Sequence, residues 1–337
     1  MTSTHIDVGT IDFDALGVWM NAQGLPEGPI TDVAPVTGGT QNVMVRFERG
    51  GRSYVLRRPP VHARRKSNEV LRREARVLRA LRGTRVPAPA LVAAQTLCDP
   101  VYYLMEPVDG FNPSTGLPEP HASDPAIRHR MGLEAAAALA ELGRVDPAVL
   151  PGFGRPDGFL ERQVPRWLKE LDSYGELDGY PGPDIPGLRE TAGWLTSHLP
   201  RAFTPGIMHG DYHFANLMFA WDGPRVAAIV DWEMCTIGDP LLDLGWLLAT
   251  WPTSAGHVPG LPAPQEIIAY YAELSERDMS AIEWYAVMAC FKLGIVLEGT
   301  HARACAGKAP KDIGDLLHAT TLGLFERARE FMDGGLT

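Results

Sequence analysis

The segment His209–Phe219 reads HGDYHFANLMF, and Asp231 closes a later apolar run. Asp211, Asn216 and Asp231 supply two carboxylates and one carboxamide, each at the end of a short strand or in a loop. This combination suits phosphoryl transfer. One carboxylate can accept the proton of an attacking hydroxyl. The other carboxylate and the amide oxygen can hold magnesium, a hard cation that prefers oxygen ligands. The metal bridges the phosphates and neutralises the charge that develops on them. A positioned general base contributes about 10²–10⁴-fold, so alignment and the metal must supply most of the acceleration. Two other readings of the same residues stay open at this level. Asp211 could be an Asx-turn carboxylate, and His209, Asp211, His213 and Asp231 could together bind a metal such as zinc.

Those residues need elements that set the loops against one another. Ile207-Met208 and Ala227–Val230 read as short apolar strands flanking the motif, and Asp239-Pro240 reads as a helix start capped by Asp239. Upstream, residues 37–59 read as a β-meander. Val43, Val45 and Phe47 alternate with outward residues, and Arg49-Gly50-Gly51-Arg52 is a hairpin signal. In the strand Ser53–Arg57, Tyr54 and Leu56 share one face while Val55 and Arg57 share the other. The spacing of Val70, Leu71, Glu74, Val77, Leu78 and Leu81 predicts a helix over Asn68–Arg82, ended by Val86-Pro87-Ala88-Pro89. Val101–Met105 is a short strand, and Glu106-Pro107-Val108-Asp109-Gly110 a connector. We therefore expect one lobe over residues 1–106 and a second over 107–337. The second reads as mainly helical, with a helix from Ser123-Asp124-Pro125 to about Leu142 and others at Pro264–Leu274, Ser280–Ala304 and Asp312–Met332. Pro/Gly-rich loops are expected at Asp146–Gly158 and Asp178–Gly187.

A chain of 337 residues, 45% hydrophobic and 21% charged, is long and apolar enough for a sizeable core. Cys98, Cys235, Cys290 and Cys305 form no C-x-x-C pair and no disulfide framework, which fits a reduced, cytoplasmic setting. The N-terminal stretch has no signal-peptide pattern, and no run is apolar for long enough to cross a membrane. The net charge of −10 disfavours nucleic acid as a partner. That charge is uneven. Residues 1–105 hold 14 Lys+Arg against 9 Asp+Glu, and the remainder holds 17 against 32. A basic lobe over an anionic cofactor and an acidic lobe facing a neutral or cationic substrate would account for it. Oligomeric state is not legible.

H-x-D-x-x-x-x-N followed by an Asp after an apolar strand resembles the catalytic and metal loops of the protein-kinase-like superfamily. The longer strings HGDYHFANLMF and IVDWEMCTIGDPLLDLGWLL resemble the aminoglycoside phosphotransferase and choline kinase branch. YVLRRPP, LERQVPRW and WYAVMACFKLGIVLEGTHAR are similar to the kinase-like domains fused to acyl-CoA dehydrogenases. The resemblance implies an α+β, two-lobed protein-kinase-like fold. Its small antiparallel-sheet lobe would carry one main helix, and its larger lobe would be mainly helical. It also implies an ATP- and magnesium-dependent kinase acting on a hydroxyl of a small molecule. Asp211 would be the catalytic base, Asn216 and Asp231 the magnesium ligands, and His209 a brace for the loop. Gly38-Gly39-Thr40 would lie over the phosphates, where small residues let backbone N–H groups approach an anion. Arg57 stands where the family carries Lys; its partner would be Glu74, with Glu69 second. Arg stays charged and grips phosphate oxygens bidentately. The Glu106 carbonyl and the Val108 N–H would meet adenine. Glu233 and His213 are possible substrate-side residues. Trp232-Glu233 replaces the Phe-Gly of protein kinases, and the tract to Asp239 is too short for a regulatory loop. That implies a constitutively assembled site. Asp243 reads as structural.

Readings from other classes fit less well. No G-x-x-x-x-G-K-[ST] exists for a P-loop. Gly210-Asp211-Tyr212-His213 and Gly238-Asp239 mimic metallophosphoesterase elements, but no G-N-H-[DE] string follows. A catalytically silent nucleotide-binding module would be expected to have lost one of Asp211, Asn216 and Asp231. The acceptor stays open between an aminoglycoside-like polyol, another hydroxylated metabolite and a hydroxyacyl compound, with the acidic second lobe favouring a cationic one.

Overall fold

The computed structural model describes residues 11–36, 42–60, 65–254 and 259–336. Its N-terminal part is a five-stranded antiparallel sheet, β1 (Thr31–Pro35), β2 (Val43–Arg49), β3 (Arg52–Arg58), β4 (Leu91–Gln95) and β5 (Tyr102–Met105), in the order β1-β2-β3-β5-β4. Alternation along the strands decides what each face does. Tyr54 and Leu56 of β3, Val45 and Phe47 of β2 and Leu104 of β5 pack with Leu16 and Met20 of α1 (Phe13–Ala22). Val55, Arg57 and Tyr103 point the other way, toward a cleft. The turn at Gly50 and Gly51 is left-handed, with φ of 55° and 73°. A Cβ on Gly50 would come within 2.9 Å of the Glu27 carbonyl, so only glycine fits there.

Helix α2 (Arg65–Leu81) starts three residues earlier than its periodicity predicts. Its Leu71, Val77, Leu78 and Leu81 are buried; burying each such side chain is worth about 1.5–3 kcal/mol. Two of its basic residues face the helical part of the chain. Arg73 and Arg76 lie 4.5 and 4.6 Å from the ring centre of Phe153, and they donate to the carbonyls of Cys235 (3.0 Å) and Pro151 (2.8 Å).

Beyond the connector the chain is helical: α3 (Pro125–Gly143), α4 (Gln163–Ser173), α5 (Leu188–Ser197), α6 (Leu241–Ser254), α7 (Pro264–Leu274), α8 (Ile282–Cys305) and α9 (Lys311–Met332). Asp124 caps α3, accepting from the Ala126 N–H at 2.8 Å, with Pro125 at the first helical position, as its sequence predicts. Helix α8 is apolar on nearly every side and runs through the core between α6 and α9. Two small antiparallel pairs complete the fold. They are β6 (Gly206–Met208) with β9 (Thr236–Gly238), and β7 (Leu217–Phe219) with β8 (Val226–Ile229). The architecture is the expected two-lobed α+β kinase-like one. The sheet carries α1 as well as its main helix, and α1, β1, β4, α4 and α5 are elements that periodicity alone left unassigned. No helix among the described residues is long and apolar enough to cross a membrane.

Candidate active site

The loop between β6 and β7 carries the motif, and alternation sorts its side chains. Tyr212 and Phe214 turn inward and are fully buried; the Tyr212 hydroxyl donates to the Ala135 carbonyl at 2.7 Å. Phe214 meets Trp251 edge-on at 5.3 Å. Asp211 and His213, between them, stay partly exposed. Gly210 has a φ of 87°, and a Cβ there would lie 2.5 Å from the Met234 carbonyl oxygen. The loop could not pass this close to the turn after Asp231 with any other residue.

His209 is fully buried. Its Nε2 lies 2.9 Å from the Val230 carbonyl, and its Nδ1 accepts from the Asp211 N–H at 3.3 Å, which selects the Nε2-protonated tautomer. Burial lowers its pKa and keeps the ring neutral. Asp243, on the first turn of α6, accepts from the His209 N–H at 2.6 Å and from the Gly210 N–H at 2.8 Å. Burial pushes this carboxyl up to about 7, opposed by those two N–H groups and by Lys292. Lys292 of α8 donates to the Gly210 carbonyl at 3.1 Å and sits 4.2 Å from the ring centre of Trp246. One polar side chain from each of two helices thus grips the backbone at residues 209–210.

Asn216 ends the loop in a single 3-10 turn, Phe214–Asn216. Its amide nitrogen donates to the Asp211 carbonyl at 3.0 Å and to Asp211 Oδ2 at 3.1 Å, which leaves its Oδ1 for another partner. His213 Nε2 lies 3.4 Å from the same Asp211 oxygen. Burial works against the Asp211 charge, but the hydrogen bond from His213 and the Lys292 charge outweigh it and lower its pKa to about 2. Asp231 follows β8 in the left-handed region, with φ 66° and ψ 62°. Such a conformation is costly for a non-glycine residue and persists where surrounding structure imposes it. The next residue, Trp232, is buried, its indole N–H donating back to the Ile229 carbonyl at 2.9 Å.

Arg57 bridges the two parts of the molecule. One of its terminal nitrogens lies 3.0 Å from Glu74 Oε1 and 3.3 Å from Asp231 Oδ1. Glu74 is also reached by the Tyr103 hydroxyl at 3.3 Å. Burial opposes the guanidinium charge, yet Tyr103, Glu74 and Asp231 together hold its pKa above the ordinary arginine value. Burial pushes Glu74 up, while Arg57 draws it down. Glu69 pairs instead with Arg72, at 3.9 Å. Arg57 Nε and His213 Nδ1 have no hydrogen-bond partner among the described residues.

A cleft of about 540 Å³ opens between the sheet and the loop. Val55, Met105, Met218 and Val230 wall it with apolar surface, and Arg57, Glu74, Asn216, Asp231 and Glu233 ring one end. Glu106 and Val108 border it, the Glu106 N–H being committed to the Ala90 carbonyl at 2.9 Å. The expected phosphate loop at Gly38, Gly39 and Thr40 lies outside the described residues. Sequence reasoning passed over Tyr103, Asn112 and Lys292. Tyr103 and Lys292 sit in runs that read simply as core strand and core helix, so their types carried no signal. Asn112 anchors the loop by donating to the Ala215 carbonyl at 2.6 Å.

A sheet-and-helix lobe over a helical lobe, with the Gly210–Asn216 loop and the Asp231 carboxylate beside an apolar slot, is the arrangement of a kinase-like phosphotransferase. Comparison with known proteins agrees. Residues 32–285 match the phosphotransferase enzyme family, and the chain belongs to that family. It is 30% identical over 310 residues to acyl-CoA dehydrogenase family member 11 of Gallus gallus, covering 85% of this chain and 39% of that protein. The chain thus spans about two fifths of that relative. Among solved structures it is similar to a candidate aminoglycoside phosphotransferase from Ralstonia eutropha, with a TM-score of 0.79, 27% identity, and 96% and 98% of the two chains covered. Spectinomycin phosphotransferase bound to ADP and spectinomycin shares the fold, with a TM-score of 0.61, 12% identity, and 96% and 99% covered.

Proposed function

We propose that the protein transfers the γ-phosphoryl group of ATP to a hydroxyl of a small molecule. The observation that carries this reading is that Asn216 and Asp231 line the polar end of an apolar slot, with Asp211 held beside it by the Asn216 amide and Arg57 reaching across from the sheet. The slot suits a purine, with the Glu106 carbonyl and the Val108 N–H as its polar contacts. On this reading the lobes divide at residues 106 and 107. Gly38, Gly39 and Thr40 cover the phosphates, and Arg57, oriented by Glu74, meets a phosphate oxygen.

The metal donors fit magnesium, because the Asn216 amide oxygen and the Asp231 carboxylate are hard oxygens and the strained Asp231 backbone aims one of them into the cleft. Bound there, magnesium would neutralise charge on the β- and γ-phosphates. Asp211, ionised across the neutral range, accepts the acceptor hydroxyl's proton on its carboxylate. His213 and the Asn216 amide hold that carboxylate in place. His209 positions the loop and transfers no proton.

The similarity to acyl-CoA dehydrogenase family members favours a hydroxyacyl compound as acceptor ahead of a cationic aminoglycoside. The test is magnesium-dependent ATP consumption across aminoglycosides, choline-like amines, sugars and hydroxyacyl-CoA compounds. Anionic hydroxyacyl acceptors should give the highest kcat/KM; a preference for polycations would overturn that part. Asp211→Asn should lower turnover of the best acceptor by about 10²–10⁴-fold while still unfolding in one cooperative thermal transition. Full activity in that variant would sink the base assignment. ATP binding without turnover on any acceptor would favour a silent module.

A further inference from the structure

Helices α8 and α9 pack antiparallel, and near their joined ends they bring together a second group of ligating side chains. Glu298, His301 and Cys305 follow one another along one face of α8, and Asp315 and His318 answer them from α9. Glu298 is fully buried. One of its oxygens accepts from the Tyr180 hydroxyl at 2.7 Å, and the other lies 2.7 Å from His318 Nδ1. The His301 and His318 rings stack at 4.5 Å with 26° between their planes. Donor atoms of Glu298, His301 and His318 all lie within 4.8 Å of one another.

A buried carboxylate must be paired or must coordinate a metal. Tyr180 and His318 alone would satisfy Glu298. They leave His301 unexplained, because its buried Nδ1 has no hydrogen-bond partner among the described residues; the nearest carboxylate oxygen, Asp315 Oδ1, is 3.9 Å away. Its Nε2 lies 3.6 Å from Cys305 Sγ. That separation is the edge expected between nitrogen and sulfur ligands of one tetrahedral zinc, about 3.6 Å for bonds of roughly 2.05 and 2.3 Å. The Asp315 carboxylate lies on the side of the other ring nitrogen, where metal-bound imidazoles commonly find an outer partner, but at 3.9 Å it is not hydrogen-bonded to it.

We infer that Glu298, His301 and His318 form a binding site for a zinc-class divalent cation, with Cys305 beside it as a fourth ligand. Two imidazoles with one carboxylate suit zinc and its neighbours rather than magnesium or calcium, which take oxygen donors. The site is separate from the phosphotransfer centre, since nine residues of helix put His301 about 13 Å along α8 from Lys292. Its effect would be structural. The ion would pin α9 and the Tyr180 loop to the helix that holds Gly210.

The test begins with chelator-treated full-length protein. Titration with Zn²⁺ against a chromophoric chelator should show one equivalent bound tightly, with a raised thermal midpoint. Co²⁺ in its place should show the visible bands of a tetrahedral site. His301→Ala and His318→Ala should each lose the tight equivalent and the added thermal stability, whereas Asp231→Asn should retain both. ATP-dependent stabilisation of the histidine variants reports that they are folded. The absence of a tight equivalent in the unsubstituted protein would overturn the site, as would its survival in the double histidine variant. Should those variants fail to fold, the Co²⁺ spectrum of the unsubstituted protein decides, and an octahedral, all-oxygen spectrum rejects the proposal.

Discussion

Asp211 and Arg57 are ordinary residue types made unusual by what surrounds them. The Asp211 carboxyl is lowered to about 2 in the folded chain, against about 4 when unfolded. A depressed folded pKa means that the carboxylate contributes stability above about pH 4, and this is lost as pH falls toward 2. The stability difference between the unsubstituted protein and Asp211→Asn, measured by urea unfolding, should therefore shrink between pH 5 and pH 3. A constant difference would contradict the pairing with His213. Arg57 carries the opposite risk, because removing it leaves the Glu74 carboxylate buried without its cation. Arg57→Ala should cost about 3–5 kcal/mol in urea unfolding and raise the KM for ATP. Arg57→Lys should restore most of the stability. The type and spacing of Asp211, Asn216 and Asp231 were legible in the sequence because they crowd into one loop and one strand end. The Arg57–Asp231 contact was not legible, since 174 residues separate the partners.

At the scale of elements, α6 and α8 cross closely enough that a Cβ on Gly245 would collide with the Tyr285 carbonyl. Asp243 and Lys292, which hold the His209–Gly210 backbone, project from these same two helices. Gly245→Ala should therefore destabilise the fold by about 1–3 kcal/mol and lower kcat more than it changes the KM for ATP. A loss of stability with kcat intact would show that the crossing does not position the loop. Periodicity located α7 to the residue and α8 and α9 to within two residues. It left α4 and α5 unassigned because each is short and flanked by Pro- and Gly-rich loops. Likewise β4 follows directly on Pro87-Ala88-Pro89, and its strand pairing with β5 is a tertiary fact.

For the molecule as a whole, α2 is clasped to the helical lobe through Arg73 and Arg76, and Arg57, paired with Glu74 of α2, reaches Asp231 across the cleft, with no ligand needed to draw the helix in. Nucleotide binding should thus add stability without a large rearrangement. ATP with magnesium at 100 times its Kd should raise the unfolding free energy by about 2.7 kcal/mol. Removing magnesium with a chelator, or substituting Asp231→Asn, should remove most of that increment in a thermal-shift measurement. An increment independent of both would argue against Asp231 as a metal ligand.

By itself the sequence determined the chemistry on offer. HGDYHFANLMF and the later Asp231 supply two carboxylates and a carboxamide in a pattern that suits phosphoryl transfer, and alternation in β2 and β3 specifies a sheet with one apolar face. Local patterns suffice for these because they depend on neighbours a few residues apart. Tertiary structure alone decided that Arg57 bridges Glu74 and Asp231, that Lys292 stands beside Asp211, and that His301 and His318 stack over a buried carboxylate. Each of these joins residues from different elements, and their charges are set by burial, which no local pattern encodes.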